Sequence, residues 1–301
     1  MFSIERLRAL DAVCRLGSVA AAATELHVTP SGISQPLAKL ERESGHRLTE
    51  ADGRGIRLTQ AGLVLADHAA RVLGQLAAAH TDLADLHSEI LGPLRIGAVE
   101  SATRTLVAPA LAALREQHPR LSPNLYTGEA VVTVPMLHRG DLDMVVVESW
   151  DNQPLSFAAD VTHVQILRED TYVALSTRHP LAGRDSVELA ELADTGWVSC
   201  FPGTGAHDSL VHALRGVGVE PEVTCIASEY PTQLALVAAN VVAAFVPPLG
   251  LTEPVPGVRL IRPRPAIGRE IVAAWRTDRQ RPAIRTCVAA LHDVAAAVPT
   301  P

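Results

Sequence analysis

The stretch TPSGISQPLAKLER, residues 29–42, decides the fold of the N-terminal part of the chain. Thr29 is a favourable N-cap, and the φ angle of Pro30 is preset for the first helical position. On a helical wheel the apolar residues form one narrow stripe, which consists of Ile33, Leu37 and Leu40. The opposite face is short, polar and cationic, and it consists of Ser31, Ser34, Gln35, Ala38, Lys39 and Arg42.

The polar face of this helix has the composition of a surface that enters the major groove of DNA. Small hydroxyls and an amide reach base edges, whereas lysine and arginine side chains reach phosphates. Lys39 is the only lysine in the chain. The solvated face of an ordinary surface helix has a similar composition, so the neighbouring segments must decide between the two interpretations.

Two shorter helices are predicted before this stretch. Apolar residues recur every three residues from Ile4 to Leu16, and Gly17 is suited to end that helix. Ser18 caps an alanine-rich helix that ends near Leu26, and a tight turn follows. A helix, a short helix, a tight turn and a helix with a polar outer face form a helix-turn-helix.

A β-hairpin is predicted over residues 47–58. Two short strand-like pieces flank Asp52-Gly53, a dipeptide that is common in hairpin turns. Arg54 and Arg57 lie near the tip of this hairpin. We expect the hairpin to be a wing beside the helix-turn-helix and both arginines to contact DNA.

The segments GSVAAAATELHVTPSGISQPLAKLE, residues 17–41, and GRGIRLTQAG, residues 53–62, resemble the N-terminal domain of LysR-type transcriptional regulators. The resemblance implies sequence-specific binding to double-stranded DNA, controlled by a small-molecule effector. It implies that Ser31, Ser34 and Gln35 face base edges. It also implies that Thr29, Lys39 and Arg54 hold phosphates or the minor groove.

Three residues depart from the pattern of this family. Pro36 lies inside the third helix, where an interior proline costs about 3 kcal/mol unless the helix bends. Thr49 and Ala51 replace the aromatic residue and the cation that usually precede the wing. These departures affect individual contacts and not the presence of the module.

Composition sets limits on the class of protein. At 301 residues the chain is long enough for two or three domains, and 48% hydrophobic content supports real cores. The net charge of −7 argues against non-specific coating of nucleic acid. Residues 1–60 carry eight basic and seven acidic side chains, a charge of +1 that leaves −8 for the rest. Because no apolar run suits a signal peptide or a membrane span, we expect a cytoplasmic protein without a membrane partner.

The four cysteines, at 14, 200, 225 and 287, are scattered without a C-x-x-C motif or a histidine at ligand spacing. We therefore expect buried thiols, with no metal site and no cofactor. Cys200 is noted separately, since the LysR family includes thiol-based redox sensors. No second cysteine shares its loop.

A long helix is predicted from Thr59 to about Ile90. Its apolar residues from Ala69 to Ile90 step alternately by three and four for three heptads and form an a/d seam, while the other faces are polar. A helix buried inside one domain is the alternative, but a dimeric coiled coil explains the single stripe better, and the LysR family uses its linker helix in this way. We expect a homodimer or homotetramer whose interface includes Val72, Leu76, Leu83 and Leu86.

The remainder of the chain, residues 92–301, alternates strand and helix patterns, with a first strand at Leu94–Val99 and a helix near Val187–Ala193 among them. Repeated units of this kind imply parallel sheets with helices on both faces. Two such sets suggest two lobes around a cleft, which we place at about 92–162 with 267–301 and at about 163–266. This part resembles the two-lobed effector domain of LysR-type regulators, which is similar to periplasmic solute-binding proteins. The expected architecture is therefore an all-α winged helix-turn-helix at 1–60, a linker helix at 61–91 and an α/β effector domain.

Two other classes of protein fit the sequence less well. A solute-binding protein without a DNA function is disfavoured by the intact helix-turn-helix. An enzyme is disfavoured because no nucleophile elbow, zinc motif or phosphate loop is present, and we assign no catalytic residue.

The effector site is predicted at the carboxyl ends of the strands, where helix N-termini favour an anion. Hydroxyls, a small turn and apolar walls at these positions define the predicted site, although plain helix caps would have the same pattern. The predicted residues are Ser101, Thr103, Thr127, Gly128, Phe201, Thr204 and Val246. The expected effector is a small carboxylate or a similar anion.

Overall fold

A computed structural model describes residues 2–52, 55–85, 90, 92–251 and 253–298. The chain forms two compact units. The first comprises residues 1–87 together with 139–141, and the second comprises 88–138 together with 142–301.

The first unit consists of four helices and a hairpin, whose bounds are α1 Ile4–Leu16, α2 Val19–Glu25, α3 Pro30–Ser44, β1 Thr49–Asp52, β2 Gly55–Leu58 and α4 Gln60–Asp85. The predicted caps form. Ser18 Oγ accepts a hydrogen bond from Ala21 N, and Thr29 Oγ1 accepts one from Gly32 N. Gly17 and Gly45 end α1 and α3 in the left-handed conformation, with φ angles of +69° and +71°.

The core of this unit contains the three residues of the predicted apolar stripe, Ile33, Leu37 and Leu40, which are all buried. Ala22 and Ala23 of α2 are also buried in it, and their small side chains allow a close helix crossing. The prediction of a helix-turn-helix from the spacing of apolar residues is thus confirmed.

The hairpin is fixed to α3 by a residue that the sequence analysis did not single out. The carboxylate of Glu41 accepts hydrogen bonds from Leu48 N, Thr49 N and the Thr49 hydroxyl, at 2.9 to 3.1 Å. Burial opposes ionisation of Glu41, but these three bonds together lower its pKa. Thr49, which departs from the family pattern, therefore has a structural role as the second anchor of β1.

Helix α4 begins where expected. Thr59 Oγ1 accepts a hydrogen bond from Gly62 N and donates one to Arg47 O. A Cβ atom at Gly62 would lie 2.1 Å from Leu48 O, so only glycine fits this crossing. The helix is described as far as Asp85, and the predicted continuation over residues 86–89 lies outside the described part of the chain.

The second unit contains two sheets, and the first sheet has the strand order β4-β3-β5-β13-β6. Its strands are β3 Gly92–Ala98, β4 Leu121–Thr127, β5 Met144–Trp150, β6 Val161–Asp170 and β13 Gly268–Arg276. The associated helices are α5 Glu100–Ala102, α6 Ala108–Gln117, α7 Ala130–Arg139 and α10 Pro282–Ala296. A π-helical turn, Thr103–Val107, joins α5 to α6.

The second sheet has the order β10-β9-β11-β7-β12-β8. Its strands are β7 Tyr172–Ser176, β8 Ser186–Glu188, β9 Gly196–Ser199, β10 Glu222–Ile226, β11 Ala243–Val246 and β12 Val258–Arg264, and its helices are α8 Gly205–Gly216 and α9 Tyr230–Ala238. Three-residue and four-residue 3₁₀ turns occupy Leu189–Leu192, Pro248–Gly250 and Thr277–Arg279.

Several predicted boundaries were wrong. Strand β3 includes Gly92, because Gly92 N donates to Arg120 O and the strand pairs with β4 from that residue onward. The helix predicted near Val187–Ala193 is instead the short strand β8 and a 3₁₀ turn. The sheets are also mixed and not purely parallel, since β13 runs antiparallel to β5 and β6.

The boundary between the lobes lies later than expected. Strand β6 pairs with β13 along its whole length, so the first lobe extends to Asp170 and not to about 162. The chain passes into the second lobe at Thr171 and returns at Ile267. The two passages lie side by side, since Thr171 N donates to Ile267 O at 2.9 Å.

Candidate functional site

The polar face of α3 is exposed throughout. All six residues of that face are solvent-exposed in the structure: Ser31, Ser34, Gln35, Ala38, Lys39 and Arg42. Some of their polar atoms are engaged within the helix. Thr29 Oγ1 and Ser31 Oγ lie 2.9 Å apart, Ser34 Oγ donates to Pro30 O, and Arg42 Nε donates to Ala38 O.

The side chains of Gln35 and Lys39 have no hydrogen-bond or ion-pair partner among the described residues. Their groups are therefore available to a ligand without the loss of an existing bond. Helix α3 continues through Pro36 from Pro30 to Ser44, so both side chains stand on one rigid element. An exposed amide one turn away from an exposed ammonium group suits a base edge and an adjacent phosphate.

The hairpin places Arg57 on the solvent-exposed side of β2. Arg57 Nη2 forms an ion pair with Glu50 at 2.9 Å, and both side chains remain largely exposed. A phosphate can therefore compete for this guanidinium group. Arg54 lies outside the described residues.

Helix α4 carries part of the predicted seam. Ala69 is fully buried in the core of the first unit and does not contribute to an outer surface. Val72 and Leu76 are 44% and 36% exposed, so this part of the stripe is free on the described chain. The side chains of Leu83 and Leu86 lie outside the part that the structure describes.

A cavity of about 480 Å³ lies between elements of both lobes. Its walls include Glu129 and Glu148 from the first lobe, and Gly205 and Asp208 at the start of α8 in the second. None of the seven residues predicted to bind the effector lines this cavity. Glu129 and Gly205 are direct neighbours of two of them, Gly128 and Thr204.

The predicted hydroxyl donors are mostly engaged elsewhere. Ser101 lies inside α5 and not before it, and its hydroxyl contacts Arg269 Nη2 at 3.2 Å. Thr204 donates to Phe201 O and accepts from His207 N, so it caps α8. Thr103 lies in the π-helical turn, with its hydroxyl buried and without a partner among the described atoms.

The other predicted residues differ in their exposure to solvent. Thr127 and Phe201 are exposed, Phe201 to 57%, whereas Val246 is fully buried in the core of the second lobe. Gly128 is half-buried beside Tyr126. Two cavity-lining residues, Glu129 and Gly205, each follow a predicted residue by one position.

A fully buried arginine, which the sequence analysis missed, lies at the junction of the lobes. Arg269 donates from Nε to Glu169 at 2.6 Å and from Nη1 to Glu148, and all three side chains are buried. Its guanidinium group also lies 5.6 Å from the ring centre of Trp150 and 5.9 Å from that of Tyr230. A charge within the apolar run IGREIVAAW is the signal that could have indicated it.

The acidic side chains around Arg269 outnumber the basic ones. Burial, together with the charges of Glu148 and Glu100, raises the pKa of Glu129 to about 7. Burial and the charge of Glu229 also raise the pKa of Glu100. Arg269 is the cation that acts on Glu129, and it already has two carboxylate partners.

Cys200 is buried at the end of β9. Its Sγ donates to Ser228 O at 3.5 Å and lies 3.7 Å from Gln233 Nε2. Burial, reinforced by the charges of Glu129 and Glu148, raises the pKa of this thiol far above its ordinary value. This environment suppresses thiolate formation.

Across the described residues, no group of three or more histidine, cysteine or acidic side chains is placed to hold a metal ion. None of the helices that the structure describes is long and apolar enough to cross a lipid bilayer.

A winged helix-turn-helix with a free polar face, joined to a two-lobed unit with a cavity, defines a ligand-responsive regulator of transcription. Residues 4–63 match the family described as "Bacterial regulatory helix-turn-helix protein, lysR family", and residues 87–296 match "LysR substrate binding domain". The chain belongs to the LysR family of transcriptional regulators. The alternative of a solute-binding protein without a DNA function is therefore not favoured.

Individual relatives agree with this assignment. The chain is 30% identical over 288 residues to the small neutral protease regulatory protein of Streptomyces coelicolor, covering 93% of this chain and 84% of the relative. Two solved structures, each 22% identical, have the same fold. A full-length variant of OxyR from Pseudomonas aeruginosa has a TM-score of 0.72, with 97% and 98% of the chains covered. CbnR complexed with its target DNA has a TM-score of 0.70, with 97% and 100% covered.

Proposed function

We propose that this protein binds an interrupted palindrome in double-stranded DNA through two copies of the first unit. In this proposal Gln35, Ser31 and Ser34 contact base edges, and Lys39, Arg42, Arg54, Arg57 and Thr29 contact the backbone. The observation that carries the proposal is the exposed face of α3, on which Gln35 and Lys39 have no partner among the described residues. Such a protein acts in the cytoplasm, where bacterial DNA is located.

Fluorescence anisotropy with labelled DNA from upstream of the protein's own coding sequence tests this proposal. Saturable binding that survives excess competitor DNA is expected for a site-specific regulator. Equal affinity for the upstream fragment and for a scrambled fragment of the same composition would contradict it.

The two copies are held together along α4 in this proposal. Val72 and Leu76 form an exposed apolar stripe on α4, and such a stripe is stabilised when a second copy covers it. Two half-sites one or more helical turns apart then require both copies, because each unit contacts one half-site.

The effector site is proposed to be the cavity between the lobes, and its charge argues against the anion expected from the sequence. The charged side chains that line it are Glu129, Glu148 and Asp208, and no lysine or arginine is among the described lining residues. Arg269, which an anion would need, is neutralised by Glu148 and Glu169. Because Glu148 is paired with Arg269, a bound anion would face the carboxyl groups of Glu129 and Asp208 without a free cation, whereas a bound cation would interact favourably with both.

We therefore propose a small cationic effector, such as an amine or a guanidine. Calorimetry of the full-length protein with putrescine and agmatine, against citrate and benzoate, tests this proposal. We expect binding of an amine and a loss of about tenfold or more in affinity for Glu129→Gln and Asp208→Asn. Preferential binding of citrate or benzoate, or unchanged amine affinity in both variants, would contradict a cationic effector.

A further inference from the structure

The cavity of about 480 Å³ between the lobes, which we call the acidic cavity, is lined by charged side chains from both of them. Glu129 and Glu148 belong to the first lobe, and Asp208 belongs to the second. Glu148 is already engaged, since its Oε1 accepts a hydrogen bond from Trp150 Nε1 at 2.9 Å and its Oε2 is paired with Arg269. Two carboxyl groups, one on each lobe, therefore remain for a ligand.

The carboxyl groups of Glu129 and Asp208 are unpaired and accessible. Neither forms a hydrogen bond or an ion pair with any residue that the structure describes. Both side chains are half-buried in the cavity wall, and their oxygens are not among the described polar atoms that are fully buried without a partner. Because a partly desolvated carboxylate without a cation is unfavourable, a positively charged group of a ligand would stabilise each of them.

The two carboxyl groups lie at separate places in the cavity. Glu129 directly precedes α7, whereas Asp208 lies in the first turn of α8. The acidic groups that raise the pKa of Glu129 are Glu148 and Glu100, and Asp208 is not one of them. Because Coulomb interactions weaken with distance, this indicates that Asp208 lies farther from Glu129 than those two groups do. Such a separation favours one positive group for each carboxyl group over a single shared one.

The rest of the cavity wall is mainly apolar. Val131, Val134 and Pro135 from α7 form one part of it, and Pro154 and Leu155 from the loop after β5 form another. An apolar wall favours a hydrocarbon body in the ligand, because contact with the wall removes apolar surface from water. The volume of about 480 Å³ lies within the usual range for small-molecule sites.

We infer that the effector is a dication, in which two ammonium or guanidinium groups are joined by a short hydrocarbon chain. One cationic group binds Glu129 in the first lobe and the other binds Asp208 in the second, while the chain packs on the apolar wall. This inference rests on the proposed cationic effector and names its class. A dication joins the two lobes, whereas a monoamine satisfies one carboxyl group and leaves the other unpaired.

Calorimetry of the full-length protein with putrescine and butylamine tests this inference, because the two ligands share a four-carbon chain and differ in one ammonium group. Measurement at about pH 8 keeps Glu129 mostly ionised, since its pKa is about 7, and keeps both amines charged. We expect putrescine to bind at least about tenfold more tightly than butylamine, because it gains a second charge-assisted contact.

Asp208→Asn and Glu129→Gln should each reduce the ratio of the two affinities to near one, because each variant leaves a single carboxylate for the diamine. Glu116→Gln removes the same charge from an exposed position outside the cavity and should keep the parental ratio. A variant that merely loses folded structure would weaken both ligands alike and leave the ratio unchanged.

Equal affinities of putrescine and butylamine for the parent protein, or a parental ratio in both cavity variants, would overturn the dication and leave a cationic effector in place. Absence of binding by both amines, with or without binding of citrate, would overturn the proposed cationic effector and this inference together.

Discussion

Arg269 and Glu169 are register partners on the adjacent antiparallel strands β13 and β6, and their side chains form an ion pair with a 2.6 Å contact. Neither side chain is appreciably exposed. Glu169 also accepts a hydrogen bond from Leu249 N in the second lobe. The pair therefore stabilises a particular arrangement of the two lobes as well as the sheet itself.

Removal of the arginine should destabilise the second unit strongly. Arg269→Met leaves Glu148 and Glu169 buried without a cation, which costs about 3–5 kcal/mol. Urea unfolding followed by tryptophan fluorescence measures the loss. Arg168→Met is the matched control, since Arg168 lies on the same sheet in an exposed ion pair, and it should cost less than about 1 kcal/mol. Equal losses for the two variants would contradict the assigned role of burial.

Glu129 should make stability depend on pH. Its pKa of about 7 in the folded protein lies above the ordinary 4.5, so the folded state binds a proton more tightly than the unfolded chain. Stability from this group is therefore complete below about pH 4.5 and is lost as the pH rises to about 7.

The Glu129→Gln variant removes this dependence. It should be more stable than the parent protein at pH 8 by about 2–3 kcal/mol and similar to it at pH 5. Urea unfolding at the two pH values provides the measurement, with the exposed Glu116→Gln as a control that keeps the parental slope. If the free energy of unfolding of Glu129→Gln depends on pH as strongly as that of the parent protein, another group is responsible.

Base specificity should depend on Gln35. Gln35→Ala is expected to relax preference at one or two base pairs by about 1–3 kcal/mol, because the amide bonds a base edge. Lys39→Ala should instead weaken binding to all sequences. It should also reduce the slope of log affinity against log salt concentration by about one. Anisotropy titrations on specific and scrambled DNA at several salt concentrations distinguish these effects. An unchanged specificity ratio in Gln35→Ala would exclude this face of α3 from the groove.

Assembly should depend on the exposed stripe of α4. Leu76→Glu places an unpaired charge in the proposed interface, where its burial is unfavourable, so dissociation and weaker operator binding are expected. Leu63→Glu is the control, because Leu63 is 47% exposed on a different face of the same helix. Light scattering after size-exclusion chromatography measures the molar mass of each variant and of the parent protein. A monomeric parent protein would refute the interface.

Cys200 should be unreactive in the native protein. Its thiol is buried and its pKa is raised, whereas Cys14 is exposed. Ellman titration should modify the exposed Cys14 in the native protein and Cys200 only after unfolding. Mass spectrometry should find Cys200 reduced after a moderate peroxide treatment. Rapid oxidation of Cys200 would contradict the protection that burial gives this thiol.

The first unit was largely predictable from sequence because its signals are local. Thr29, Pro30 and the spacing from Ile33 to Leu40 specify α3 within one segment. The bounds of the hairpin were also expected from Asp52-Gly53. The role of Glu41 was not predictable, since its hydrogen bonds join residues seven and eight positions apart.

The acidic cavity could not be predicted in the same way. Arg269 contacts Glu148 and Glu169, which lie 121 and 100 residues away, and only the register of three strands brings them together. The hydroxyl of Ser101, which was predicted to bind the effector, accepts a hydrogen bond from this arginine. The acidic lining of this cavity is therefore set by long-range strand register, which no local sequence signal contains.

The passages at Thr171 and Ile267, joined by one backbone hydrogen bond, give the second unit a mechanical property. Two chain segments that cross side by side resist bending in the plane that contains them both. They resist rotation about their common axis less. A rotation of about 10° around such an axis displaces an atom about 15 Å away by about 2.6 Å, roughly the length of two covalent bonds. A small rotation about this axis would thus become a displacement of several ångströms at the outer edges of the lobes.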